Sequence, residues 1–257
     1  MKKIGSIIQN IKNFDFTDKK AIVLFSLSIT LIISILFFNF LNNYITRGNK
    51  ITVTGSAQQD IVADLIVWQG SFSSTSMNLK DAYSKLQSDM AKIKKFLIAK
   101  EVSDAETIFE YIFMNRRFRS IRQNDIWTEV FDGYYLSQNI KIESKEVDKI
   151  EKISREITEL IEQGIELSSH HPQYFYTGLS ELRKVMIGLA TADAYNRALQ
   201  IAINSKARLG KLKNARTGVF QIIGQNSSES FSAGGAFNTH SKNKTISINV
   251  NLEYGLK

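Results

Sequence analysis

The residues able to do chemistry are few, and their spacing is poor for it. Histidine occurs three times, at His170, His171 and His240, and cysteine is absent. Thiolate nucleophiles and disulfide frameworks are therefore excluded. Adjacent His170 and His171 on an extended segment point to opposite faces, so in regular geometry they do not share one ion. Glu143, Glu146 and Asp148 lie at the start of an expected helix, where carboxylates complement the helix dipole. The nucleophile-elbow, phosphate-loop, dinucleotide and zinc-helix motifs do not occur. No catalytic residue, cofactor site or metal site is predicted, and the chain is expected not to be an enzyme. A hydrolase with dispersed acids would require a deep pocket with paired carboxylates.

Binding chemistry is better represented. Arg116, Arg117, Arg119 and Arg122, in NRRFRSIR, form the densest basic patch. They read as a solvated strand end or as a contact for an anion or partner. Ala190, Ala194, Ala198 and Ala202 recur every fourth residue. A ridge of small residues lets a helix pack closely, against its own chain or against a second subunit. Residues 1–20 supply +3 of the formal charge of +8, which leaves a modest +5 for the rest; nucleic-acid binding, which needs charge concentrated on one face, is not expected of an exported domain. Asn226-Ser-Ser and Asn243-Lys-Thr match the glycosylation triplet, a pattern common by chance.

One stretch sets the address of the rest. Residues 21–41, AIVLFSLSITLIISILFFNFL, carry no charge, proline or glycine. As a helix they span about 31 Å, against a hydrocarbon core of roughly 30 Å. Within residues 1–20, Lys2, Lys3, Lys12, Lys19 and Lys20 outnumber Asp15 and Asp18 by three. The positive-inside rule then puts residues 1–20 in the cytoplasm as a basic tail and the remainder across the membrane. A buried core helix and a cleaved signal peptide are the alternatives. The run is longer than a signal peptide's apolar region, and LNNYITRGN supplies no small-residue cleavage site. We therefore expect a signal anchor at 21–41, a linker at 42–49 and a domain over 50–257.

That domain reads as α+β, with repeated strand–helix–strand units and antiparallel sheets covered by helices. Ile51–Ala57 and Ile61–Ser73 alternate as strands, with QQD as their turn. Asn78 opens a helix striped by Leu79, Ala82, Tyr83, Leu86, Met90, Ile93 and Leu97, its lysines on the other sides. Thr107–Phe118 is a strand with Phe109, Tyr111 and Phe113 on one face. Trp127–Phe131 and Gly133–Glu143 follow. A second helix, Glu146–Glu162, carries Val147, Ile150, Ile153, Ile157 and Leu160, with an Asp148–Lys152 pair and Gly164 as its stop. Pro172 confines residues 165–177 to an edge strand or a bulge. A helix at Glu181–Arg208 stops at Gly210. A strand at Thr217–Gly224, a loop at 225–238 and the flawless alternation of Thr245–Tyr254 complete the chain.

These blocks carry a resemblance. VTGSAQQDIVADLIVWQGSFS, AYSKL and GYYLSQNIKIESKEVDKI are similar to the SIMPL-domain family. So are ADAYNRALQIAINSKARLGKLKNARTGVFQI and TISINVNLEYGL. The family includes periplasmic immunogenic proteins and proteins described as oxidative-stress defence factors. The resemblance covers roughly residues 50–257. It implies a bacterial cell-envelope protein that self-assembles as a homo-oligomer, with no catalytic signature to carry over. The long apolar run departs from soluble members and implies a single-pass protein of the inner membrane, its bulk periplasmic.

Overall fold

In a computed structural model, the structure describes residues 19–48, 50–123 and 125–257. Helix α1 (Lys19–Gly48) passes through the apolar run and continues through the stretch expected to be a linker. Every described side chain between Ile22 and Leu41 is exposed. The polar ones turn back on the helix: the hydroxyls of Ser26, Ser28 and Thr30 donate to the carbonyls of Val23, Phe25 and Leu27 at 2.8–2.9 Å. Asn39 Nδ2 donates to Ile35 O at 3.0 Å. Among the described residues, no helix is long and apolar enough to cross a membrane. Residues 1–18, the expected basic tail up to Thr17 and Asp18, lie outside the described residues.

The fold is α+β, with antiparallel pairing in the sheet that holds the core. Strands β1 (Lys50–Val62) and β2 (Leu65–Ser76) are followed by α2 (Leu79–Ala99), β3 (Thr107–Gln123) and β4 (Ile126–Ser144). Next come α3 (Val147–Glu156), a 3₁₀ segment (Ile157–Gln163), β5 (Glu166–Ser169) and β6 (Gln173–Phe175). Helix α4 (Leu179–Asn204) leads to β7 (Leu209–Thr217), β8 (Gln221–Gly224) and β9 (Asn243–Leu256). One sheet has the order β1-β9-β7, with β8 also on β9; the other has the order β3-β4-β2-β5, with β6 also on β2. Contacts divide the chain into two units. One holds the described residues up to Val53 with 196–215 and 252–257; the other holds 54–195 and 216–251.

The second unit contains the larger core. The two strand–helix–strand units read from the sequence interleave there: β2-α2-β3 and β4-α3-β5 alternate across one sheet, a double split β-α-β. Trp68, Phe72, Leu136, Ile140 and Ile142 from the sheet meet Leu86, Ile93 and Leu97 of α2. Ile150, Ile153, Ile157 and Leu160 close the same cluster from α3 and the 3₁₀ segment. Each such aliphatic side chain stabilises the fold by about 1.5–3 kcal/mol. The indole of Trp68 donates to Ser169 Oγ at 3.0 Å, and that hydroxyl donates to Ser154 O at 2.6 Å. Asn78 caps α2, accepting from Lys80 N, and Gly164 terminates the 3₁₀ segment in a left-handed conformation.

Several expectations are corrected. β1 runs unbroken through Gln58, Gln59 and Asp60, and it lies in a different sheet from β2, so QQD is not a hairpin. Phe109, Tyr111 and Phe113 do not share a face. An irregularity between Phe109 and Ile112 sets two β3 residues, Glu110 and Tyr111, against Asn139 alone of β4. Phe109 and Ile112 then pack on the core, while Tyr111 is exposed. Asp148 pairs with Lys242 rather than Lys152, which lies 3.5 Å from Glu156. Helix α4 ends at Asn204, and the lysine-bearing stretch after it is strand β7. The break around Pro172 divides the expected edge strand into β5 and β6, both on β2.

Candidate interaction surface

The four arginines lie on the outer half of the β3–β4 hairpin. The inner half belongs to the core: Phe109 faces Ile140, and Thr107 faces Ile142. Beyond it the strands keep pairing through Phe118↔Phe131, Arg119↔Val130, Arg122↔Trp127 and Gln123↔Ile126. Every β3 residue from Met114 to Ser120, and every β4 residue from Ile126 to Glu129, is exposed. The outer half is thus a ribbon with no core of its own. Gly133 marks the junction. Its φ is +105°, and a Cβ there would sit 2.7 Å from Ser76 O on β2. Aromatic contacts continue across the junction, Phe118–Phe131 at 5.9 Å and Phe131–Tyr134 at 5.2 Å, both edge-to-face.

The register assigns side chains to faces. Phe118, Ser120 and Arg122 share one with Phe131, Glu129 and Trp127; Arg119, Ile121 and Gln123 share the other with Val130, Thr128 and Ile126. Trp127 is 69% exposed, Ile126 67% and Phe118 56%. The cations are partly neutralised. Asp132 lies 3.8 Å from Arg117 and 3.5 Å from Arg119, and Asp125 lies 2.8 Å from Arg122. Arg116 makes no ion pair among the described residues. The ribbon therefore offers aromatic and aliphatic area studded with guanidinium groups, the composition enriched at protein interfaces. The sequence pointed to the arginines but not to Phe118, Ile126 and Trp127. Its available signal was an apolar set, on a segment of strand propensity, that no helix stripe is left to cover.

The alanine ridge is not an assembly contact. Ala190, Ala194, Ala198 and Ala202 are buried by their own chain. A Cβ on Gly55 of β1 would lie 2.7 Å from Ala194 Cβ and closer still to the backbone of Ala190 and Ala194. Small residues on both sides thus let helix and strand backbones approach. The open apolar area of α4 lies elsewhere, at Val185 (57% exposed) and Leu189 (52%).

Sequence reading also missed a buried polar cluster. Lys244 sits among the inward-facing residues of β9 and is fully enclosed. Its Nζ donates to Asn238 O at 2.6 Å and reaches Asn238 Oδ1 at 3.3 Å. Asn238 donates to Glu229, whose other oxygen accepts from Gly224 N at 3.1 Å. Burial pushes the Lys244 amine down to about 8, with Glu229 opposing the shift. The cluster ties the 225–242 loop to β8 and β9. A lysine that keeps the alternation but is buried leaves no periodic signal.

Two clefts complete the search for chemistry. One of about 400 Å³ is lined by Ser56, Gln58, Gln221, Phe231, Ser232 and Asn249 among others, with no titratable group. Another, of about 570 Å³, has Asp64, Glu146 and Asp148 on its walls. Those carboxylates are engaged by Thr177, Lys149 and Lys242 respectively. Among the described residues no group of three His, Cys, Asp or Glu forms a metal cage. His170 and His171 are both exposed.

The profile of the SIMPL family, described as proteins of unknown function (DUF541), matches residues 51–254. No curated protein matches the chain. The match spans most of its length, and the chain belongs to the SIMPL family.

Proposed function

From this membership and the exposed ribbon, we propose a membrane-tethered, non-catalytic cell-envelope protein whose SIMPL domain self-associates through the outer β3–β4 hairpin. The observation that carries the reading is that ribbon, where Phe118, Ile126 and Trp127 stay exposed on a hydrogen-bonded strand pair. Burying such residues in a partner is worth roughly 25 cal/mol per Å² of apolar area, while the paired strands limit the ordering cost. The tether is supported by the uncharged run 21–41 and by an α1 whose described side chains from Ile22 to Leu41 are all exposed. An apolar helix surface of that kind is costly in water and suits lipid. Self-satisfied Ser26, Ser28, Thr30 and Asn39 lower the cost of burying them in hydrocarbon. The basic residues before the run orient the domain to the periplasmic side of a bacterial inner membrane. A protective role in envelope stress follows the family members described as oxidative-stress defence factors.

Photo-cross-linking from position 126 in membranes tests the reading. Adducts at multiples of the chain's own mass are expected; cross-links only to lipid, or none, would defeat it. A second reading rests on the guanidinium groups: the ribbon binds an anionic envelope partner. In that case the adduct contains a different molecule, weakens with salt and disappears when Arg116, Arg117, Arg119 and Arg122 are replaced by Ser.

A further inference from the structure

Two histidines far apart in sequence come together away from the ribbon. His171 follows β5, and His240 lies in the loop before β9. Their ring centres are 6.1 Å apart, with an interplanar angle of 66°. A metal held about 2.0–2.1 Å from each coordinating nitrogen lies roughly 3.2 Å from each ring centre, so imidazoles sharing one ion have centres from about 5.2 Å apart at a tetrahedral angle to about 6.4 Å apart when trans. The observed spacing falls in that window.

The surroundings fit ligation as well. His171 Nδ1 is 2.8 Å from Pro172 O. A carbonyl only accepts, so Nδ1 donates to it, and in the neutral ring the lone pair is then on Nε2. That is the orientation typical of a metal-ligating histidine held by a backbone carbonyl. Both side chains are exposed, so an ion can reach them. Both also stand on backbone fixed by hydrogen bonds. His170 N donates to Gln69 O at 3.0 Å, Tyr174 N donates to Thr239 O at 2.7 Å, and Ala63 N donates to Lys242 O at 2.9 Å. The neighbouring cation Lys242 is engaged by Asp148 and lies 3.8 Å from Glu151, so its charge is compensated. Tyr174, whose ring centre is 6.4 Å from that of His171, is buried.

We propose that His171 and His240 form a two-histidine site for an imidazole-preferring divalent transition metal, Zn²⁺ or Cu²⁺, with water completing the coordination. Imidazole nitrogen suits these ions, and an open two-ligand site binds them reversibly. Occupancy staples the 225–242 loop to the edge segment between β5 and β6.

The test uses the full chain in detergent without a histidine tag, titrated with Zn²⁺ and with Cu²⁺ by calorimetry. One equivalent is expected to bind. His171→Asn and His240→Asn each weaken it at least about tenfold, whereas His170→Asn leaves it unchanged. Bound metal also raises the melting temperature of the unsubstituted protein and of His170→Asn, but not of the two site variants. Absence of binding, binding indifferent to His171 and His240, or binding that depends on His170 would each overturn the proposal.

Discussion

The two halves of the β3–β4 hairpin share strands, ladder and direction, yet they solve different problems. The inner half lays Phe109 and Ile112 against a core that includes Leu136 and Ile140. The outer half carries Phe118, Ile126 and Trp127 with more than half of each left exposed. Inner-half identity is dictated by packing density, where losing a few methylenes leaves a cavity. Outer-half identity is free of that demand. Large apolar residues left uncovered on such a ribbon are the kind of patch that marks interaction sites. The hairpin thus joins a half packed on the core to an exposed apolar half along one continuous pair of strands.

Substitutions ordered by their cost in stability sharpen the contrast. Trp68→Ala, on the neighbouring strand β2 in the core that the inner half joins, should destabilise by about 3–5 kcal/mol in denaturant unfolding; a loss under about 1 kcal/mol would mean the core is not where the contacts place it. Lys244 comes next. With a folded-state value near 8 against an ordinary 10.5, the unfolded chain binds more protons between those limits. Stability should therefore rise from about pH 8 to pH 10.5, by up to about 3 kcal/mol. Lys244→Met should flatten that rise, and an unchanged slope in the variant would assign the rise to other groups. At the junction, Gly133→Ala meets both a positive φ and the Ser76 carbonyl, and should cost about 1–3 kcal/mol. Trp127→Ser on the outer half should change stability by less than about 0.5 kcal/mol. A large loss there would erase the distinction between the halves.

What the sequence made legible follows the same division. Faces whose alternation or helical stripe meets one core were readable residue by residue. Val147, Ile150, Ile153, Ile157 and Leu160 are buried as spaced, and so are Ile246, Ile248, Val250, Leu252 and Tyr254. Features that break a period were not readable. The irregularity after Phe109 moves Tyr111 outward, and nothing local marks it. Strand β7 is mostly exposed, so it lacks an apolar face to announce it. The alanine ridge was legible as close packing, but its partner, Gly55, lies far away in sequence. Charge density pointed, through Arg116, Arg117, Arg119 and Arg122, to the stretch that the structure leaves exposed on the outer hairpin. The hydrophobic half of the surface emerged only once the ladder showed which side chains remain uncovered.

The central claim is that the outer hairpin holds copies of the chain together. Light scattering coupled to size-exclusion chromatography, on the full chain in detergent, tests it most directly when the unsubstituted protein is compared with Phe118→Ser/Ile126→Ser/Trp127→Ser. The account predicts an oligomer for the first and a protomer mass for the second, with circular dichroism spectra that agree. An oligomer that survives the triple substitution, or an unsubstituted chain that is monomeric at high concentration, would contradict it.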